Sequence, residues 1–353
     1  IQATVASEKS SQRKAKAPAK AKKDAELKRS DYIPEGKRCV LLCDGSNMFM
    51  RNVSIPGRDE LSNPSGQKTG GLYGTLKSLI REMRVWCPNE VYFCIDKSKS
   101  YRRKQLFPEY KAQRGHGLIS GSSEHTVEDR LEHESRMRQL SVLESILPYM
   151  GVRPVWAEGF EADDVIAGLV DFNRRFGDTM TVVCSTDTDF VQLQDGFSCV
   201  VYSPTKRRVV TAEEYGMTGI PYVLAKCVSG DLATDNIPGV KGIGMKTMAK
   251  LFSETFIPTT LVELKEVADQ KKEKSYGQAI LDNWEIVERN YQLISLDAET
   301  TKIPTNLTLV MREWKDKPLK VSPQHIAATL RREGISASML NDIMAAASCL
   351  NKG

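Results

Sequence analysis

The stretch Gly159-Phe160-Glu161-Ala162-Asp163-Asp164-Val165-Ile166-Ala167 places three carboxylates within four residues, between apolar neighbours. Before it, Val152-Arg153-Pro154-Val155-Trp156 reads as a short buried strand. After it, Val165, Ile166, Leu169 and Val170 recur at helical spacing. The carboxylates therefore lie where a strand hands over to a helix. In an open α/β sheet that handover is the carboxyl-edge crevice in which ligands bind. Acidic residues in a first helical turn are also favoured by the helix dipole. The stretch alone is thus equally a charged helix start or a ligand site.

The other strands decide between these readings. Arg38-Cys39-Val40-Leu41-Leu42-Cys43 is a continuous apolar run, as in a parallel strand covered on both faces, and it stops at Asp44. Residues 57–71 are rich in Gly, Pro, Ser and Asn and read as a loop, and 72–86 as an amphipathic helix. Val91-Tyr92-Phe93-Cys94-Ile95 is a second buried run, ending in Asp96. Met180-Thr181-Val182-Val183-Cys184 is a third, followed by Asp187 and Asp189 in a tight turn. Residues 199–202 and 208–210 form a hairpin around Pro204-Thr205-Lys206-Arg207. Four strand ends carry acids, and in a parallel sheet these ends share one edge. Carboxylates gathered there repel one another unless cations neutralise them. Oxygen ligands without His or Cys select Mg²⁺ or Mn²⁺ over zinc. Two such ions about 4 Å apart suit in-line displacement at a phosphodiester.

A segment of one charge sign follows the second strand. Lys97, Lys99, Arg102, Arg103, Lys104, Lys111 and Arg114 face a lone Glu109, with Tyr101, Phe107 and Tyr110 interleaved. Basic residues with aromatics suit a groove that follows a nucleic-acid backbone and stacks bases. A Gly/Ser/His loop spans 115–123, and a helix spans 128–150 with a strongly charged first half. His116, His125 and His133 are spaced too irregularly for metal ligation. Further on, residues 229–251 contain Asp231, Asp235 and Gly239-Val240-Lys241-Gly242-Ile243-Gly244. Those glycines permit a tight hairpin between two helices and close approach of backbone N–H groups to a phosphate. Residues 261–293 and 323–347 read as further amphipathic helices.

The chain has 353 residues, enough for about two domains, and 41% hydrophobic residues. No apolar run reaches the roughly 18 residues of a membrane span, and no signal-peptide pattern is present. A cytoplasmic location is the expectation. The eight cysteines form no C-x-x-C pair, and Cys43, Cys94 and Cys184 lie in apolar runs. Reduced thiols, without disulfides or zinc, are expected. Residues 1–38 hold eleven Lys/Arg against five Asp/Glu, whereas the rest hold 39 against 40. The positive surplus therefore belongs to a low-complexity tail that buries almost nothing.

Together these residues resemble the 5′-nuclease family of flap endonucleases, phage 5′–3′ exonucleases and the 5′-nuclease domain of bacterial DNA polymerase I. The carriers are residues 42–47 (LCDGSN), 69–74 (TGGLYG), 107–111 (FPEYK), 161–164 (EADD), 185–189 (STDTD) and 235–244 (DNIPGVKGIG), in the family's order over about 38–300. The chain looks most like a stand-alone phage-type enzyme, which implies the host cytoplasm as its location if a phage encodes it. The resemblance implies a PIN-like α/β fold with a mostly parallel central sheet flanked by helices. It adds a helical arch and a C-terminal helical region with a helix-hairpin-helix (helix-3-turn-helix) motif. Asp44, Asp96, Glu161, Asp163 and Asp164 would form a first metal site, and Asp187, Asp189 and Asp231 a second. Family members usually separate their last two aspartates by three positions, whereas Asp231 and Asp235 lie four apart. Which of the two completes the second site stays open.

The resemblance further implies that Lys111 contacts the scissile phosphate, with Arg114 as a second electrostatic partner. The family's stacking aromatic falls at Met50, with Phe49 beside it and Arg51 as the accompanying basic residue. Lys97, Arg103 and Tyr110 would meet DNA from the arch. Gly239, Lys241, Gly242, Gly244, Lys246 and Thr247 would grip the duplex, where the family often holds K⁺. The expected organisation is a disordered basic tail (1–37), a catalytic domain (38–215) with its arch at 97–150, and a helical DNA-binding region (216–353) with the hairpin at 229–255. The expected activity is structure-specific cleavage of DNA at 5′ flaps, nicks and 5′ ends by a monomer, in replication or repair. A DNA-binding paralogue without catalysis and a ribonuclease with the same acidic edge are the rivals.

Overall fold

The computed structural model describes residues 27–112, 126–210, 216–217, 219–297 and 319–351. Five strands run parallel: β1 (Arg38–Asp44), β2 (Glu90–Cys94), β3 (Arg153–Val155), β4 (Thr179–Cys184) and β5 (Cys199–Ser203). A sixth, β6 (Arg208–Val209), closes an antiparallel hairpin with β5, so the sheet order is β3-β2-β1-β4-β5-β6. The continuous apolar runs become central strands because both faces are covered. In β1, Cys39, Leu41 and Cys43 enter one core, whereas Val40 and Leu42 enter the other. Register aligns the strand ends, with Asp44 opposite Cys94 and Cys43 opposite Cys184. One edge of the sheet thereby collects every loop that follows a parallel strand.

One face is covered by α1 (Gly45–Val53), α2 (Gly70–Trp86) and the second half of a long helix. A short α3 (Tyr101–Leu106) precedes that long helix, α4 (Val127–Ile146). The buried residues of α4 are Gln139, Leu140, Leu143 and Ile146, which agrees with its polar first half. Pro148 tightens its continuation into a 3-10 turn, Leu147–Met150. The other face takes α5 (Ala162–Arg174) and α6 (Ile220–Ser229). Behind α6 lie α7 (Met245–Glu254), α8 (Leu261–Asp269), α9 (Ser275–Asp282) and α10 (Trp284–Ile294). The last pair, α11 (Pro323–Arg332) and α12 (Ser338–Ala347), returns to the α2 side.

Two expectations change. Residues 27–37, assigned to the unstructured tail, instead include a 3-10 turn at Arg29–Asp31 and a buried Ile33. Tyr32 meets Trp86 edge-on, with ring centroids 6.1 Å apart. Between α6 and α7 the chain forms a small antiparallel ribbon of β7 (Gly230–Asp231) and β8 (Ile237–Pro238). Two-residue strands leave no periodicity to read. The charge-rich residues 1–26 lie outside the described residues. No helix among the described residues is long and apolar enough to cross a membrane.

Candidate metal centre and nucleic-acid interface

The first carboxylate group grows directly from the strand ends. Asp44 leaves β1 as the N-cap of α1, where its Oδ1 accepts from the Asn47 N–H at 3.0 Å. Its Oδ2 accepts from the Ser185 hydroxyl, just past β4, at 2.7 Å. Adjacent parallel strands are thus clipped together through one aspartate. Asp96, beyond β2, accepts from the Ala162 N–H at 2.6 Å, at the positive end of α5. Asp163 sits in the first turn of that helix.

Burial dominates the electrostatics here. With the Asp96 and Asp187 charges it outweighs the Ser185 and Asn47 hydrogen bonds and pushes the Asp44 carboxyl up to about 7. Burial also raises Asp96, with Glu161 adding to it. Asp163 rises well above the usual carboxylate range by burial; Asp187, Asp44 and Asp96 add to this, and Lys111 opposes it. Carboxyls pushed upward by burial and by one another mark a place short of positive charge. The donors are all oxygens, so the residues fit hard divalent cations.

Glu161 behaves differently. Burial raises its carboxyl, but Lys111 and Arg103 outweigh that and hold it at about 2. Its Oε2 accepts from Lys111 Nζ at 2.9 Å, Tyr110 OH at 3.0 Å and Arg103 Nη1 at 3.0 Å. Asp164 is turned away from the acidic edge, which corrects its reading as a metal ligand. Both its oxygens accept from Arg103, at 2.8 and 2.7 Å, and Oδ2 also takes the Glu161 N–H. Arg103 is corrected with it. This side chain is 2% exposed and its Nε donates to the Leu293 carbonyl, so it cannot meet a DNA backbone.

The second group lies beside the first. Carboxylate oxygens of Asp189, Asp231 and Asp235 come within 4.8 Å of one another. The extra residue between Asp231 and Asp235 is absorbed locally: the Thr234 N–H donates to Asp231 Oδ1 at 3.1 Å, and the exposed Leu232 swings outward. The four-residue spacing therefore brings both aspartates to the cluster. Tyr110 OH, 3.3 Å from Asp235 Oδ2, joins the two groups. Asp187 acts electrostatically on Asp44 and Asp163 on one side and on Asp189 on the other.

Lys226 is the residue that sequence reasoning missed. It is buried, bonds to Asp189 and lies 2.8 Å from Asp231 Oδ2. Burial would lower its ammonium, but Asp189 and Asp231 hold it well above the usual lysine range. A lone lysine inside the otherwise apolar α6, five positions before Asp231, is the signal that could have found it.

The remaining expected DNA contacts divide by exposure. Phe49 is fully buried and Tyr110 is 3% exposed, so neither can stack on a base from these positions, which corrects both assignments. Met50 leans on the α2-side core, and Arg51 is half-buried nearby. Lys97 pairs with Glu144 at 2.6 Å and lies 3.5 Å from the Trp156 ring centroid. Arg114, His116 and His125 lie outside the described residues. Gly239 is structural: a Cβ there would overlap the Ser229 carbonyl across the ribbon. Gly242 has φ +81° and opens onto free space, as does Gly244 at the start of α7. Lys241 and Lys246 are exposed around that helix start, with Thr247 half-buried.

A pH dependence follows for chelated protein. The folded Asp44 carboxyl titrates near 7 against an ordinary 3.8, so the folded state holds the extra proton between those values. Stability in EDTA should therefore fall as pH rises from about 4 to about 7. The depressed Glu161 acts oppositely, but its effect is complete above its ordinary 4.5. Unfolding midpoints at pH 5 and 8, with EDTA and with excess Mg²⁺, test this. Mg²⁺ should restore the loss at pH 8; a midpoint in EDTA that rises with pH contradicts the assignment.

Residues 39–218 match the family described as 5′-3′ exonuclease, N-terminal resolvase-like domain. The 5′-3′ exonuclease of Bacillus subtilis is 30% identical over 305 residues, covering 84% of this chain and 93% of that protein. DNA polymerase I of Mycobacterium bovis is 28% identical over 285 residues, 79% of this chain but 29% of the polymerase. The chain thus spans less than a third of such polymerases. Among solved structures, bacteriophage T5 5′-exonuclease with bound divalent zinc ions has a TM-score of 0.56 at 21% identity, covering 88% of this chain and 100% of that one. The bacteriophage T5 flap endonuclease complexed with DNA and metal ions gives 0.58 at 20%, over 88% and 100% of the two chains. Those structures share the PIN-like sheet-and-helix architecture. By the family match and by the Bacillus relative, the chain belongs to the 5′-3′ exonuclease family.

Proposed function

We propose that the chain is a divalent-metal-dependent 5′-nuclease that hydrolyses DNA near single-strand/duplex junctions, releasing flaps or short 5′ products in replication or repair. One observation carries this reading: two carboxylate groups meet on one sheet edge, joined through Asp187 and Tyr110, with Lys111 beside them. Two Mg²⁺ or Mn²⁺ ions held there would supply an activated water and neutralise charge on the leaving oxygen. Asp44, Asp96 and Asp163 would hold one, with Glu161 shaping it from behind. Asp189, Asp231 and Asp235 would hold the other, with Asp187 between them. Lys226 would withdraw as the cation enters its cradle.

Lys111 supplies the protein's own charge. Its φ of 53° is uncommon for a lysine, and its N–H donates to the Asp235 carbonyl at 2.9 Å. That backbone anchor ties the base of the arch to the second group. Its ammonium would exchange Glu161 for a phosphate oxygen and stabilise charge as it develops. Arg114 would assist it. Behind the junction, the uncapped start of α7 with Lys241, Gly242, Gly244, Lys246 and Thr247 would take duplex phosphates, and K⁺ with them. This is the role proposed for a helix-hairpin-helix at 229–255, beside a catalytic domain at 38–215. A monomer suffices for all of it. The likeness to a flap endonuclease solved with DNA and metal ions supports a DNA substrate.

Lys111→Ala should slow single-turnover cleavage by roughly 10²–10³-fold, as loss of one charge-stabilising donor does, while binding weakens only a few-fold. A change confined to binding would remove its catalytic role. Matched DNA and RNA flaps complete the test: DNA should be cut preferentially, and faster cleavage of RNA would favour the ribonuclease rival.

A further inference from the structure

Six of the eight cysteines are buried, whereas Cys87 and Cys349 are half-exposed. Their Sγ atoms stand 2.9 Å apart although 262 positions separate them in sequence. Cys87 ends α2 in the left-handed region, at φ 38° and ψ 59°, with its N–H on the Met83 carbonyl. Cys349 lies in the 3-10 turn that follows α12. The approach is fixed by the surrounding packing. Met83 and Trp86 of α2 share a core with Ile343 and Ala346 of α12. One turn before Cys87 and two turns before Cys349, Arg84 pairs with Asp342 at 2.8 Å. Because α2 runs back from the carboxylate edge to the start of β2, the pair sits at the opposite end of the sheet.

We propose that Cys87 and Cys349 are an oxidation site, closing to a reversible disulfide when the chain meets a small-molecule disulfide such as oxidised glutathione. One cysteine thiolate attacks a glutathione sulfur, forming a mixed disulfide and releasing one glutathione thiolate, which takes up a proton. The second cysteine thiolate then attacks the protein sulfur of that mixed disulfide and expels the other glutathione as a thiol. Two cysteine thiols are oxidised, and one glutathione disulfide is reduced to two thiols. The sulfurs need to close only from 2.9 Å to about 2.05 Å. The bond fastens the C-terminal helix pair to α2 and restricts the unfolded chain over a long loop. In a reducing compartment such a bond is a transient mark of oxidising conditions. The inference is independent of the nuclease reading.

The test uses the full chain with oxidised glutathione, followed by non-reducing proteolysis and mass spectrometry. The intact protein should become lighter by two hydrogens. A cross-linked peptide pair containing Cys87 and Cys349 should appear and vanish with dithiothreitol. The Tm of the oxidised chain should exceed that of the reduced chain by a few °C and return on reduction. C349S should yield neither the link nor the gain, and the dithiothreitol reversal on the native chain stands without any variant. Retention of glutathione on either cysteine without a cross-link, or a link with no Tm change, overturns the proposal.

Discussion

Asp187→Ala should abolish cleavage of a 5′-flap DNA while the variant still binds that DNA within a few-fold of the native chain. Asp187 is the carboxylate whose charge reaches both groups, raising Asp44 and Asp163 on one side and Asp189 on the other. Removing it takes a ligand from between the proposed ions and leaves the proposed duplex-binding surface around α7 untouched. The side chain also has a local task. It caps the 3-10 helix Thr188–Leu193 by accepting from the Asp189 N–H at 2.9 Å. Loss of a cap costs about 1 kcal/mol, too little to unfold the chain. Asp187→Asn separates the two tasks, because an amide oxygen still caps but carries no charge. It too should be inactive, with the stability of the native chain. A native rate in either variant would overturn the two-ion arrangement.

Arg103→Ala should lower stability more than any substitution at the acidic edge, by roughly 3–5 kcal/mol, the usual result of removing one partner from a buried ion pair. Arg103 and Asp164 are each 2% exposed at the side chain, and the guanidinium also serves Glu161 and the Leu293 carbonyl. Its loss strands the Asp164 carboxylate, takes one of three side-chain donors from Glu161 and unties α3 from the end of α10. Denaturant unfolding followed by circular dichroism measures the effect. A midpoint equal to that of the native chain would mean that the pair is not holding α3 to α5. The contrast with Lys111→Ala is diagnostic: one basic residue of this segment should matter for folding, the other for chemistry.

That contrast also marks what the sequence could reveal. The parallel strands were legible because full burial on both faces demands continuous apolar runs, and their shared polarity puts Asp44, Asp96, Asp163 and Asp187 on one edge. The basic segment was not legible residue by residue. The helix α3 has six residues, less than two turns, so no periodicity distinguishes buried Arg103 from its exposed neighbour Tyr101. Phe49 and Tyr110 resembled stacking aromatics for the same reason: residue type says that a ring is present, not which way it faces. Asp164 carried the composition of a ligand, yet as the N3 residue of the α5 capping box it points back at Glu161 and Arg103. Spacing alone left Asp231 against Asp235 undecided, because a turn stabilised by Thr234 absorbs the added residue. Lys226 escaped because a buried lysine makes sense only once its two aspartates are seen beside it.

The most direct test of the carboxylate edge is a Mg²⁺ titration of cleavage on end-labelled 5′-flap DNA, with nicked and blunt DNA in parallel. Cleavage should be absent in EDTA, rise with Mg²⁺, and release products mapped to the flap junction. Product formation in EDTA, or none at any Mg²⁺ or Mn²⁺ concentration despite DNA binding, would contradict a metal-dependent nuclease.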